Sequence, residues 1–224
     1  MFRDRFEAGT RLAQRLEPNS TTETLLLAIP RGGIEVAYPI ALHLRRPLDV
    51  IIPRKITFPD NPELAIGAVT FDGSVEINQP LVEKLNLSSA DVNELVRPAR
   101  LEIERRLAVY RREKPSPQLE GKDVVLIDDG LATGYTMMAA VKSVRREKPR
   151  QIIVAVPVSP VSTAEHLQSM VDQIMVLHLA QESFFAVGAF YDRFNDLSDA
   201  ELIRLLEESN VPFQKSAQSG NQMD

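Results

Sequence analysis

The chain has 224 residues, of which 44% are hydrophobic and 25% charged, so it is predicted to form one globular domain over residues 1–214. Its net charge of -5 argues against a general nucleic-acid surface, and the lack of cysteine excludes disulfides, thiolate metal sites and cysteine nucleophiles. No apolar run approaches the roughly 20 residues of a membrane span, and the start lacks an apolar signal core, so we expect a soluble cytoplasmic protein.

Short apolar runs alternate with helical patterns along the chain. The runs are rich in β-branched residues and apolar on both faces, as in parallel strands that helices cover. They are TLLLAI (24–29), PLDVII (47–52), DVVLI (123–127), IIVAVPV (152–158) and QIMVLHL (173–179). Helical spacing at 33–44 and 135–147 completes the pattern of a doubly wound, mostly parallel α/β sheet.

Three other segments depart from that alternation. The prolines and the Asp60-Asn61 pair predict a long mobile loop over 53–69, and residues 65–78 resemble a hairpin around Asp72-Gly73. Residues 88–112 predict one long arginine-rich helix, kinked at Pro98, which faces solvent or another subunit. The end of the chain, 215–224, is predicted to be disordered.

The stretch VVLIDDGLATGYT (124–136) places two acids directly after a buried strand. Open α/β sheets bind ligands at the carboxyl ends of their strands, so Asp128 and Asp129 would face a site. The glycines, threonines and helix start that follow would offer N–H groups and hydroxyls to an anion. A ribose 5-phosphate combines both needs, whereas the alternative is an ordinary Asp-Gly turn.

This stretch resembles the 5-phosphoribosyl 1-pyrophosphate (PRPP) fingerprint of the type I phosphoribosyltransferases. The resemblance implies their α/β fold, with a flexible loop or hairpin insertion and a small C-terminal hood. It also implies that Asp128 and Asp129 hold the ribose hydroxyls while a loop wraps the 5-phosphate. That loop comprises Gly130, Leu131, Ala132, Thr133, Gly134, Tyr135 and Thr136.

A second motif, AIPRGG (28–33), follows the first strand and opens a helix. Its glycines would let the backbone approach an anion while Arg31 supplies charge, although a simple glycine-rich turn would look the same. The motif resembles the pyrophosphate loop of the family. By that resemblance Pro30, Arg31, Gly32 and Gly33 bind PRPP, with a non-proline cis peptide between Pro30 and Arg31.

Arg54 and Lys55 resemble the basic pair beside the family's catalytic loop, which closes over PRPP and excludes water. The alternative is two solvated basic residues after a strand. Glu63 is a candidate general acid or base by its position in the loop alone.

The aromatic segment FFAVGAFYDRF (184–194) lies where the family's hood covers the acceptor. Stacking on a heterocycle would suit Phe184, Phe185 and Tyr191, although core packing is the commoner fate of such rings. Ala132 stands where 6-oxopurine enzymes carry an aspartate that assists proton transfer. The Ala-Thr-Gly form is similar to adenine enzymes, which makes adenine a weak favourite.

These motifs occur in the order seen in a subfamily of predicted bacterial phosphoribosyltransferases. The resemblance implies transfer of the phosphoribosyl group from PRPP to a nitrogen acceptor, with Arg31, Lys55, Asp128 and Asp129 catalytic. Mg²⁺ would arrive with PRPP without an assigned protein ligand, and a homodimer would be usual. Two alternatives are a PRPP sensor without turnover and a metal-assisted phosphate hydrolase.

Overall fold

A computed structural model describes residues 1–58, 61–69, 75–112, 115–181 and 185–219, with the side chains of 62, 63, 76 and 211–219 left undescribed. The strands are β1 (Thr24–Ala28), β2 (Leu48–Val50), β3 (Arg54–Phe58), β4 (Asn61–Val69), β5 (Val75–Ile77), β6 (Asp123–Ile127), β7 (Gln151–Pro160) and β8 (Gln173–Ala180). The α-helices are α1 (Arg5–Leu16), α2 (Gly32–Leu44), α3 (Gln79–Lys84), α4 (Ser89–Arg111), α5 (Tyr135–Arg146), α6 (Val161–Gln168) and α7 (Asp199–Ser219). Short 3-10 helices span Glu17–Asn19 and Val187–Phe190.

The main sheet has five parallel strands in the order β2-β1-β6-β7-β8. These are the five apolar runs that the sequence predicts as strands. Alternate residues of β1 and β6 point to opposite faces, so Leu26 and Val125 pack with α1, α2 and α7, whereas Leu27 and Val124 pack with α5 and α6. The predicted doubly wound α/β fold is confirmed.

A second, antiparallel sheet is formed by β3, β4 and β5. The prediction of a long loop over 53–69 is wrong, because β3 pairs with β4 and buries Ile56, Ile66 and Val69 against α4. The three prolines hid this apolar spacing from sequence reasoning. β4 and β5 do pair as the predicted hairpin, while Asp72-Gly73 lies outside the described residues.

Helix α4 passes through Pro98 as one element and begins with a reciprocal cap between Ser88 and Asp91. Helix α7 extends into the segment predicted to be disordered, over residues 215–219. Lys, Ala and Gln favour helix there, and Gly220 follows the last helical residue. The remainder, 220–224, lies outside the described residues.

The end of α4 is held on the main sheet by Arg111, which is buried. Its guanidinium donates to the Asp49 carboxylate at 2.9 Å, to Ser116 Oγ at 2.9 Å and to the Val50 carbonyl at 2.7 Å. A buried cation with this many acceptors fixes the position of α4 over β2.

We expect Arg111→Met to lower the free energy of unfolding by about 3 kcal/mol, because it leaves Asp49 and the Val50 carbonyl without their cation. The control is Arg97→Met on the exposed side of the same helix, with an expected change of about 0.5 kcal/mol or less. Urea unfolding would measure both, and equal losses in the two variants would contradict this role of Arg111.

Candidate active site

The topological switch point of the main sheet lies between the neighbouring strands β1 and β6, at their carboxyl ends. The chain continues from β1 to β2 on one side, whereas β6, β7 and β8 follow one another on the other side. Ligands of open α/β sheets bind in the crevice at such a point. The Ile29 N–H donates to the Ile127 carbonyl at 2.9 Å, so the two strand ends lie side by side. The Pro-Arg-Gly-Gly and Asp-Asp-Gly motifs therefore start next to each other.

The two acids after β6 are partly buried and adjacent. The Asp129 N–H donates to Asp128 Oδ1 at 2.9 Å. Burial raises the pKa of Asp128 well above its usual range, and the Asp129 charge adds to this effect. Burial also raises the pKa of Asp129, although Arg5 opposes that change.

Arg5, from the first turn of α1, reaches the Asp129 carboxylate. Its Nε lies 2.8 Å from Asp129 Oδ2, and its Nη1 lies 3.1 Å from Glu35 Oε1 in α2. The side chain of Arg5 is 3% exposed and that of Glu35 is 8% exposed, so both charges are held away from water. Burial raises the pKa of Glu35 to about 7, although Arg5 lowers it and Asp129 raises it further. The result is a buried acid–cation–acid network beside the switch point.

The Pro-Arg-Gly-Gly loop packs directly on the acids. The Pro30–Arg31 peptide is cis, as the family resemblance of this motif implied. A Cβ on Gly32 would lie 2.0 Å from Asp129 Oδ2, and one on Gly33 would lie 2.7 Å from the Ile127 carbonyl oxygen. These two glycines are therefore required for contact between the two motifs, whatever anion they also bind.

Arg31 stands at the start of α2 and faces the arginine-rich helix. Its Nε lies 3.5 Å from Asp199 Oδ1, to which the Tyr110 hydroxyl donates at 2.7 Å. Arg105 and Arg106 line the same small cavity. Arg31 thus lies in a cluster with Arg105 and Arg106, which the sequence alone did not place near it.

The fingerprint loop lies between the sheet and α6. The Leu131 N–H donates to the Val158 carbonyl at 2.9 Å, and Thr163 Oγ1 donates to the Ala132 carbonyl at 2.9 Å. Gly134 has φ of 74°, a left-handed conformation that favours glycine, and it precedes α5. The first N–H groups of a helix have no partner within it, so the start of α5 can receive an anion. Gly130 is half-buried, and Ala132, Thr133, Tyr135 and Thr136 are exposed along this loop.

Lys55 on β3 comes to the rim of this loop. Its Nζ lies 4.6 Å from the centre of the Tyr135 ring, at a distance suited to a cation–π contact. Arg54 is exposed and lines an open cleft of about 510 Å³ between β3 and α4, together with Lys55. Lys55 is thus brought to the fingerprint, whereas Arg54 lies beside it on the cleft. The side chain of Glu63 lies outside the described residues.

The aromatic segment packs mainly on the protein itself. Tyr191 is buried, with its ring centre 5.6 Å from that of Phe2, and its hydroxyl donates to the Asp129 carbonyl at 2.6 Å. Tyr191 thereby supports the fingerprint from beneath and offers little ring surface to an acceptor. Phe185 is half-buried, 5.2 Å from the ring centre of Phe190, and Phe184 lies outside the described residues.

Sequence reasoning missed Arg5, Glu35 and Asp199. A signal was present for two of them, because Arg5 shares the apolar face of α1 with Ala8 and Leu12, and Glu35 lies within the apolar start of α2. An ionisable residue on a buried helix face needs a partner, and here the partner is Asp129, a predicted site residue. Asp199 gave no comparable pattern.

The described residues contain neither a metal-binding cluster nor a membrane-spanning helix. No group of three or more His, Asp or Glu side chains within those ranges is placed to hold a metal ion. No helix in the same part of the chain is long and apolar enough to cross a membrane.

Comparison with known proteins agrees with the geometry. The phosphoribosyl transferase domain family matches residues 3–177. Two Mycobacterium tuberculosis proteins, from different strains and each named "Putative phosphoribosyl transferase", are 36% identical over 213 residues. The match covers 95% of this chain and 48% of each relative, so the chain spans about half the length of these relatives.

A solved structure extends the agreement to the whole fold. The crystal structure of the Thermus thermophilus protein TT1426 is 37% identical and superposes with a TM-score of 0.82, over 92% of this chain and 98% of that one. The family match and the switch-point site lead to one conclusion: the chain belongs to the phosphoribosyltransferase family and has its type I fold.

Proposed function

We propose that the protein transfers the 5-phosphoribosyl group of PRPP to a nitrogen acceptor, a nucleobase or a related heterocycle, with release of pyrophosphate. The observation that carries this proposal is the contact at the switch point between Gly32 and the Asp129 carboxylate. It supports the proposal because the Asp-Asp-Gly and Pro-Arg-Gly-Gly motifs are then close enough to contact one small ligand together.

Each part of PRPP has a matching surface in this proposal. The 5-phosphate lies on the loop 130–136 and the start of α5, where free N–H groups favour an anion. The ribose 2- and 3-hydroxyls donate to Asp128 and Asp129. The pyrophosphate lies on the backbone of Gly32 and Gly33, with Arg31 and Lys55 as its cations.

Catalysis in this arrangement is electrostatic and positional. As the bond from C1 to pyrophosphate breaks, positive charge develops on the ribose, and the two carboxylates beside it stabilise that charge. Arg31 and Lys55 stabilise the negative charge that moves onto the leaving group. Mg²⁺ enters as part of the substrate, Mg–PRPP, where it neutralises phosphate charge.

The acceptor is assigned only as a class. Ala132 is exposed in the loop and has no group that could exchange a proton with a base. This favours adenine over 6-oxopurines as the first acceptor to test. Of the three predicted stacking residues, Phe185 stays in the proposal because Tyr191 is occupied in packing.

We expect pyrophosphate release from Mg–PRPP to depend on one acceptor and to fall at least about a thousandfold in an Asp128→Asn, Asp129→Asn variant, because the ribosyl cation loses both charges. Release would be measured across a panel of nucleobases and small amines. Asp192→Asn, at an exposed acid, should leave the rate unchanged.

PRPP binding without turnover for any acceptor would contradict the transferase and favour the sensor. Phosphate release without an acceptor would contradict it in favour of the hydrolase.

Gly32→Ala should weaken PRPP binding at least about tenfold, because the new methyl group would displace the Asp129 carboxylate that lies 2.0 Å from it. Titration calorimetry would measure the affinity. The control is Gly121→Ala, a position with φ of 72° and open space around it, which should cost about 1 kcal/mol of stability but leave PRPP affinity unchanged. Equal affinities in the two variants would contradict the close approach.

A further inference from the structure

We propose that Arg5 is a positioning residue for the ribose-binding carboxylate: its guanidinium orients Asp129, while Glu35 holds the guanidinium in place. This inference rests on the proposed PRPP site. It assigns a role in substrate binding to a helix that lies outside both sequence motifs.

The guanidinium of Arg5 is held from several directions. Besides its bonds to Asp129 and Glu35, its Nη1 donates to the Asn195 carbonyl at 2.9 Å, and its Nη2 lies 3.7 Å from Asp196 Oδ1. The Phe194 ring centre lies 3.8 Å from its Cζ, so one face of the planar group is covered. Because the Arg5 guanidinium is fixed in this way, the direction of its Nε–H is fixed too. The hydrogen bond from this Nε–H then determines the rotamer of Asp129.

The contact with Asp129 has the geometry that positioning needs. Nε engages Oδ2 at 2.8 Å, and the proposal assigns the other oxygen, Oδ1, to a ribose hydroxyl. Gly32 lies against the same Oδ2, so a ribose cannot approach the carboxylate from that side. Arg5 and Gly32 together determine which oxygen faces the ligand.

The charges around Asp129 give Arg5 its second role. Asp128, Glu35 and Asp196 all place negative charge near this carboxylate, and the Tyr191 hydroxyl donates to its backbone carbonyl. Burial raises the pKa of Asp129, Arg5 lowers it, and the Asp196 charge raises it further. Removing Arg5 would favour a protonated carboxyl, which is a poorer acceptor for a hydroxyl.

Glu35 offers a way to separate positioning from folding. Arg5→Gln alone leaves Glu35 and Asp129 as buried acids without their cation, so this variant is expected to be less stable. Arg5→Gln combined with Glu35→Gln removes one of those charges and restores a neutral pair. Stability should then recover in part, whereas the orientation of Asp129 should not.

The test compares the affinities for Mg–PRPP and for Mg–pyrophosphate, which has no ribose. We expect Arg5→Gln and the double variant to lose PRPP affinity about tenfold or more, comparable with the loss when a group that orients a ligating side chain is removed. Pyrophosphate affinity should stay within about twofold, because the Arg31 loop is unchanged. Arg11→Gln, on the exposed side of the same helix, serves as the control.

The pH dependence of PRPP binding gives an independent readout. Without the guanidinium the pKa of Asp129 rises, so acidification should protonate it earlier. The acid side of the binding profile should move to higher pH in Arg5→Gln than in the unchanged protein. Titration of the PRPP phosphates is common to both proteins and cancels in the comparison.

Two results would overturn the inference while leaving the PRPP site intact. One is an equal loss of PRPP and pyrophosphate affinity, and the other is recovery of PRPP affinity together with stability in the double variant. Either would give Arg5 a purely structural role. If the unchanged protein bound neither ligand, the proposed function itself would fail and this inference with it.

Discussion

The elements around the switch point are held together by the buried guanidinium of Arg5. Arg5 is 3% exposed, and the acids that pair with it come from α2, from the end of β6 and from the segment after the second 3-10 helix. An ion removed from water costs several kcal/mol unless its partners are all in place, so these segments must come together as a unit. Gly9 makes this possible, because a Cβ there would lie 2.1 Å from the Val36 carbonyl oxygen and would push α1 away from α2. The first helix and the last segments of the chain are thereby fixed against the switch point.

The central sheet could be predicted from the sequence because both of its faces are buried. Strands covered on both sides require continuous apolar runs, and such runs are visible without knowledge of their partners. Strand β3 of the smaller sheet could not be predicted, because it lacks a continuous apolar run. Its inward residue Ile56 stands alone between polar neighbours and prolines, and it becomes a core residue only when α4 packs on it. Helix α7 was missed in the same way, since its burial is decided by tertiary contacts more than by local pattern.

The parts of the site that lie within one short segment could be predicted from the sequence, whereas the parts that tertiary packing brings together could not. The acids and the glycine loops lie in two short segments whose spacing carries the information, and the cis peptide was implied by the family resemblance of the second segment. Arg5, Asp199 and the arginines of α4 reach the site from distant parts of the chain, so the spacing within the two motifs does not reveal them. For Tyr191 the sequence leaves both stacking on a ligand and core packing open, and its hydroxyl on the Asp129 carbonyl and its ring against Phe2 favour packing.

An acidic protein can still bind a highly charged anion if its charges are separated within the site. Around the switch point the carboxylates lie on the β6 side, where Arg5 is buried among them, and the accessible cations lie on the α2, β3 and α4 sides. A ligand with hydroxyls at one end and phosphates at the other can place its hydroxyls on the carboxylates and its phosphates on the cations. The net charge of -5 therefore describes the surface as a whole and not the crevice. If pyrophosphate binds the Arg31 loop as proposed, it competes for that arginine with Asp199, whose Oδ1 lies 3.5 Å from Arg31 Nε, and the cost of displacing this carboxylate lowers the affinities of substrate and product by the same factor.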